Sequence, residues 1–269
     1  MTNFLRRSQA PLAQASWDLI DEQARELISA TVSARKIVAV SGPHGSELAA
    51  LNLGTLDPAR VDAEAGVSYG IRKVQPLVEV RVPFVLDLWA LDDVARGARD
   101  PELGPLLEAT GKLVAFEERA IYDGLPGAGI VGMRQASPHP RQLLERDVRT
   151  WPEAIARASV LLKLAGVKKP HVLVTSSHVY EAIEQHAGEY PVRKQIESLI
   201  EGGIMLAPYI DGAYLLPVAG ERDFELLLGQ DISIGFEQQR GQAVSLYLTE
   251  SFTFRALGPA AVVAFETVS

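Results

Sequence analysis

Between Gly45 and about Gly70 the chain shows no sustained hydrophobic period of either kind, and this stretch limits the fold more than any other. Glycine, proline, alanine, serine and acidic residues are mixed there, so neither an amphipathic helix nor a half-buried strand is indicated. A segment this long without its own pattern is rare inside a compact domain and is usually functional, disordered or an extended arm. An arm reaching onto a neighbouring subunit satisfies the pattern without strain. The rest of the chain must then be rigid enough to carry it.

That rigid part is indicated by strong periodicities. After Pro11, Trp17, Ile20, Ala24, Leu27, Ile28 and Thr31 recur at spacings of three and four, which predicts a helix to about Thr31 with one apolar stripe. Arg35 to Val40 is expected to be a short strand. Val78, Val80, Val82, Phe84, Leu86 and Leu88 alternate with polar residues, as a long strand with one buried face does. Pro83 cannot donate to a ladder, so this strand is expected at a sheet edge or a bulge. Pro101 to Tyr122 is the clearest long helix, closed by Gly124. Further on, a helix from Pro152 to Gly166, a strand over His171–Thr175 and helices near Val179–His186 and Val192–Ile200 describe a small α/β lobe. The last fifty residues are strand-rich. The fold class is therefore α+β.

Composition excludes several functions. Cysteine is absent, which removes disulfides, thiolate nucleophiles and Cys-ligated metals. A formal net charge of -8 and the lack of a basic run argue against nucleic acid as a partner. No stretch approaches the roughly 20 apolar residues that span a bilayer. The Arg6-Arg7 pair has no apolar segment of an export signal behind it, so the expected location is cytoplasmic, with no membrane partner.

The motifs that suggest chemistry have simpler readings beside them. Gly127-Ala128-Gly129-Ile130-Val131-Gly132 matches G-x-G-x-x-G, but a helix precedes it where a dinucleotide site needs a strand. Pro138 and Pro140 are expected to keep the following residues from forming a helix, so the segment is read as a connector between lobes. His178, Glu181 and Glu184, with His186 just beyond, share a helix face that suits either a metal or solvent; nothing else completes a coordination shell. Glu117-Glu118 and Asp92-Asp93 diverge as adjacent residues, and are expected to be solvated or interfacial charges. Trp89 shares a strand face with Arg81 if the strand reaches that far; otherwise it belongs to the Asp87–Asp93 turn. No catalytic constellation emerges, and the chain is expected to be a building block, not an enzyme.

An ordered series of short segments carries a resemblance. Ala10-Pro11-Leu12, Arg35-Lys36-Ile37-Val38, Gly42-Pro43, Arg72-Lys73-Val74-Gln75-Pro76-Leu77 and Asp87-Leu88-Trp89-Ala90-Leu91-Asp92-Asp93 are followed by Phe116-Glu117-Glu118 and Ile121-Tyr122-Asp123-Gly124. Then come Gly188-Glu189-Tyr190-Pro191, Leu228-Gly229-Gln230-Asp231-Ile232-Ser233-Ile234-Gly235-Phe236 and Thr249-Glu250-Ser251-Phe252-Thr253-Phe254. Together they resemble the encapsulins, the linocin-type bacterial nanocompartment shell proteins, over nearly the whole chain. The resemblance implies a Hong Kong 97-type phage major capsid fold, with a phage or prophage capsid protein as the alternative.

In that frame residues 1–45 supply the N-terminal helix and first strand, 46–71 the E-loop and 72–130 the peripheral domain with its spine helix. Residues 131–217 form the axial domain and 218–269 return to the peripheral domain. The partners implied are further copies of the chain in an icosahedral shell, and a cargo enzyme held by its C-terminal targeting peptide. Dye-decolourising peroxidases and ferritin-like iron-oxidising proteins are the cargo classes. From the family's interior docking site and the apolar spacing, the peptide groove is expected at Leu27, Ile28 and Ile37, with Ile232 and Ile234 opposite. The resemblance places Gln185, His186, Ala187, Gly188, Glu189 and Tyr190 at a fivefold pore. No cofactor is required, although some members hold a flavin through a tryptophan and an arginine placed like Trp89 and Arg81.

Overall fold

The structure is a computed structural model, and it describes residues 4–268 apart from 59, 63–65, 187–190 and 219–221. The first helix, α1 (Gln14–Thr31), buries Trp17, Ile20 and Ala24 along one stripe. Ser16 on the same side donates to the Leu91 carbonyl at 2.7 Å. The expected strand over Arg35–Val40 is largely absent. Ala34–Lys36 form a 3-10 turn, and β1 is only Ala39–Ser41. A tertiary contact sets this conformation. The Glu118 carboxylate accepts from the Ser33 and Ala34 N–H groups at 3.0 and 2.8 Å, and so caps the turn.

The stretch without a sequence period is not structureless. It forms β2 (Ala50–Leu56), β3 (Arg60–Asp62), β4 (Val67–Tyr69) and β5 (Arg72–Pro76), paired as two antiparallel ribbons, β2 with β5 and β3 with β4. Leu56, Val67, Tyr69, Ile71 and Val74 are exposed, so one subunit gives the ribbon no buried face. Without such a face there is no alternation to select, and the strands leave no pattern in the sequence.

β6 (Val78–Asp87) runs into α2 (Leu88–Ala95) and then the spine helix α3 (Gly104–Tyr122). α3 ends with the Asp123 and Gly124 N–H groups on the Arg119 carbonyl, Gly124 at φ +92°. The glycine-rich connector follows. Pro138 does not prevent a helix there: a single turn, α4 (Met133–Ala136), fits before it. The second lobe contains β7 (Gln142–Leu144), α5 (Trp151–Leu164), β8 (His171–Thr175), α6 (Ser177–Gln185), α7 (Val192–Ile200), β9 (Glu201–Leu206) and β10 (Ala213–Pro217). The chain closes with β11 (Phe224–Leu228), β12 (Ser233–Arg240), β13 (Ala243–Ala256) and β14 (Val263–Thr267).

Two five-stranded sheets organise these elements. The first has the order β1-β11-β13-β12, with β6 along the other flank of β13. Since β6 has β13 as its one partner among the described residues, Pro83, opposite Tyr247, sits on an edge strand as expected. The second has the order β7-β14-β10-β8-β9. Its inner strand β14 comes from the chain's C-terminal segment, which therefore does not simply return to the first sheet. α1 and α3 cover the first sheet over a core containing Trp17, Ile20, Leu106, Leu113, Ile234 and Leu246. A second core joins the sheets, with Tyr122, Val174, Tyr214 and Phe254 in one continuous cluster.

Glu117 and Glu118, expected as solvated or interfacial charges, are both fully buried on α3. Adjacent residues on a helix diverge, and here they grip two parts of one passing segment. Glu118 caps the 34–36 turn, and the Arg35 Nε donates to Glu117 at 2.9 Å. Burial pushes the Glu118 carboxyl up to about 7, against the downward pull of its Ser33 and Ala34 hydrogen bonds. An unfolded chain loses this proton near pH 4.3, before the folded one does. Stability therefore falls as pH rises from about 4.3 to 7 and levels off above that, by at most about 4 kcal/mol from this group. Glu118→Gln is expected to flatten that part of the profile, read as the difference in denaturation midpoint between pH 5 and pH 8. Equal slopes in both proteins would refute it.

Candidate functional site

A cleft of about 370 Å³ opens between α1 and the start of β12. The 3.6-residue period of α1 puts Asp21, Ala24, Arg25 and Ile28 on one wall, and Asp231–Ile234 with Leu248 form the other. An N-terminal strap closes one side. Its Leu5 carbonyl accepts from the Phe236 N–H at 2.8 Å, and its Phe4 carbonyl from the Tyr247 hydroxyl at 3.0 Å. Arg7 then makes a two-pronged pair with Asp21 at 3.1 and 2.7 Å, with its guanidinium 4.0 Å from the Trp17 ring centre.

Arg35 forms the polar floor. It donates to Asp231 at 2.8 Å and to Glu117, and contacts Glu250. Burial, followed by the neighbouring Glu117 charge, holds the Glu250 carboxyl well above the ordinary carboxylate range. Asp231 also accepts from the Ile232 N–H at 2.8 Å, which fixes the turn that presents Ile232 to the cleft. The site is thus a cleft of mixed polar and apolar walls, with isoleucines on both sides, over a charge-paired base.

Three of the five residues expected at a groove meet here: Ile28, Ile232 and Ile234. Ile37 is instead 3% exposed in the core that joins the two sheets, because the 34–36 turn swings it inward. Leu27 is half-buried on α1 beside the cleft lining. The strap and the arginines were not anticipated. A strap held by backbone carbonyls needs no particular side chains, so it has no signature in sequence.

Elsewhere, Trp89 lies in α2 and is exposed, since β6 ends at Asp87. Arg81 stays on β6 with its guanidinium 4.2 Å from the Tyr247 ring centre. The two therefore do not share a strand face. Gln185 ends α6 exposed and His186 is half-buried just after it, while Ala187, Gly188, Glu189 and Tyr190 lie outside the described residues. His178 and Glu181 are exposed, and Glu184 pairs with Arg193. Among the described residues no helix is long and apolar enough to cross a membrane.

The family model described as encapsulating protein for peroxidase matches residues 1–253. A type 1 encapsulin shell protein of Rhodococcus erythropolis is 40% identical over 264 residues, 98% of this chain and 99% of that one. The chain belongs to the type 1 encapsulin shell proteins. The encapsulin fold extends to more distant structures. The virus-like particle of Pyrococcus furiosus has a TM-score of 0.63 at 15% identity, covering 93% of this chain and 99% of that one. The capsid of an empty GTA particle has a TM-score of 0.55 at 14% identity, covering 88% and 90%. These likenesses give the encapsulin the Hong Kong 97-type capsid fold. Its relatives are structural shell proteins, and it is a shell-forming subunit, not an enzyme. The exposed apolar side chains of its β2–β5 arm are consistent with a surface completed by neighbouring copies.

Proposed function

We propose that the shell encloses a cargo enzyme by taking that enzyme's C-terminal targeting peptide into the cleft between α1 and β12. The observation that carries this reading is the convergence of Ile28, Ile232 and Ile234, from segments about two hundred residues apart, on one open cleft. An extended peptide can set alternate side chains into such walls while the paired base keeps its shape. Dye-decolourising peroxidases and ferritin-like iron-oxidising proteins are the cargo classes, and the family description favours a peroxidase. Pores near Gln185 and His186 pass small solutes to the enclosed enzyme, and the compartment works in the cytoplasm.

Ile234 is 4% exposed and packs in the core, so a charge there endangers the fold itself. Ile232 is the better test because it is only half-buried. Ile232→Asp is expected to reduce cargo co-purification ten- to a hundredfold, corresponding to roughly 1.5–3 kcal/mol of lost apolar burial. Ile28→Asp provides a second, independent wall. Electron microscopy should still show closed particles for both. Closed particles loaded as fully as the parent would overturn the docking site.

A further inference from the structure

A second recess of about 560 Å³ lies on the other lobe, where the end of α5 turns back into β8. Ser159 and Lys163, one helical turn apart, form one side of it. The chain reverses at Gly166, with φ +82°, and returns through Val167 and Lys168 to His171, the first residue of β8. His171 lines the recess yet is 1% exposed. Its Nδ1 is 3.3 Å from the Ser159 hydroxyl, and its Nε2 is closed off from solvent. Burial, and then the Lys169 charge, lower the His171 pKa.

The charges at the mouth are unbalanced. Lys169 pairs with Glu201 at 3.0 Å, but among the described residues Lys163 and Lys168 have no carboxylate partner. This occurs in a chain of net charge -8, where a local excess of unpaired cations is not a general property of the surface. Between those ammonium groups and the imidazole the wall is mostly apolar, made of Val167 and the lysine methylenes. A bare inorganic anion would leave that wall wet. A neutral apolar molecule would leave the lysines unused.

We propose that this recess binds a small aromatic acid, with the ring system on Val167 and the carboxylate or sulfonate at Lys163 and Lys168. The site is separate from the cleft and does not depend on cargo docking.

The probe is 6-hydroxy-2-naphthoate, titrated by its fluorescence into assembled shells. Saturable binding is expected, weakened about tenfold or more in the Lys163→Gln/Lys168→Gln double variant, as suits loss of charge-assisted contacts. Val167→Trp should also block it by filling the recess, while the distant exposed Lys36→Gln should leave it intact. 2-Naphthol, which lacks the anion, and inorganic phosphate, which lacks the ring, should each fail to compete. The lysine variant alters only exposed side chains, so it remains informative even if Val167→Trp does not assemble. No saturable binding, unchanged binding in the double lysine variant, or phosphate competing as well as the naphthoate would each overturn the proposal.

Discussion

Arg35→Met is expected to prevent assembly of intact shells, with most of the subunit recovered as aggregate. Three carboxylates converge on this one guanidinium, and two of them, Glu117 and Glu250, have no solvent exposure. They come from α3 and β13, while Arg35 comes from the turn after α1, so the group ties three distant segments together. Removing one partner of such a buried set costs about 3–5 kcal/mol, mostly because charge is left uncompensated in the interior. That is a large part of the 5–15 kcal/mol that typically separates folded from unfolded domains. The triple variant Arg35→Met/Glu117→Gln/Glu250→Gln should recover some assembly, because it removes the stranded charge along with the cation. Particle yield by sedimentation, with the denaturation midpoint of any soluble fraction, checks both. A single variant that assembles with the parental midpoint would show that the cluster contributes little.

Gly132→Ala should be similarly damaging for a steric reason. A Cβ at this position would lie 2.1 Å from the Gly124 nitrogen and 2.5 Å from the Asp123 carbonyl carbon. Both obstacles are backbone at the end of α3, so no side-chain rotation relieves them, and the cost should exceed the ~1–3 kcal/mol usual for overpacking. Gly127, in the same motif, has nothing within 4 Å of a would-be Cβ. Gly127→Ala should stay within about 0.5 kcal/mol of the parent. Denaturation midpoints of the pair settle the matter: equal effects would mean that the close approach at Gly132 is not what the glycine is for. The contrast also gives the G-x-G-x-x-G string a structural explanation, a tight crossing of the connector over the spine helix, with no nucleotide in it.

Much of the framework was legible from periodicity. The α1 stripe, the alternating β6 with Pro83 at an edge, α3 with its Gly124 stop, β8, α7 and β11 lie close to where their patterns put them. Where one side of an element lies against a core, burial selects its residues at a fixed interval, and β8, buried on both faces, reads as a continuous apolar run. The two ribbons of the arm lack that selection. Their strands pair with one another while none of their described side chains is fully buried within the subunit, and open positions accept almost any residue. The same reasoning applies to the cleft between α1 and β12. Ile28, Ile232 and Ile234 were legible as apolar positions, but the strap from Phe4 to Arg7 is held through carbonyl oxygens that every residue has.

From the order of residues alone came the capsid-like building block: its apolar intervals, its lack of cysteine, its acidic balance and the ordered family segments. Only the tertiary structure decided what became of the charges and the chain ends. Glu117 and Glu118 looked like surface carboxylates until Arg35 and the N–H groups of residues 33 and 34 were seen to meet them in the interior. β14 turned out to belong to the second sheet, and Ile37 to a core in place of a groove. The physical reason is common to all of these. Hydrophobic period reports whether a residue is buried, which is a local property repeated along an element. The partner that makes a buried charge tolerable, or a strand's neighbour in a sheet, lies many residues away and is set only when the chain closes on itself.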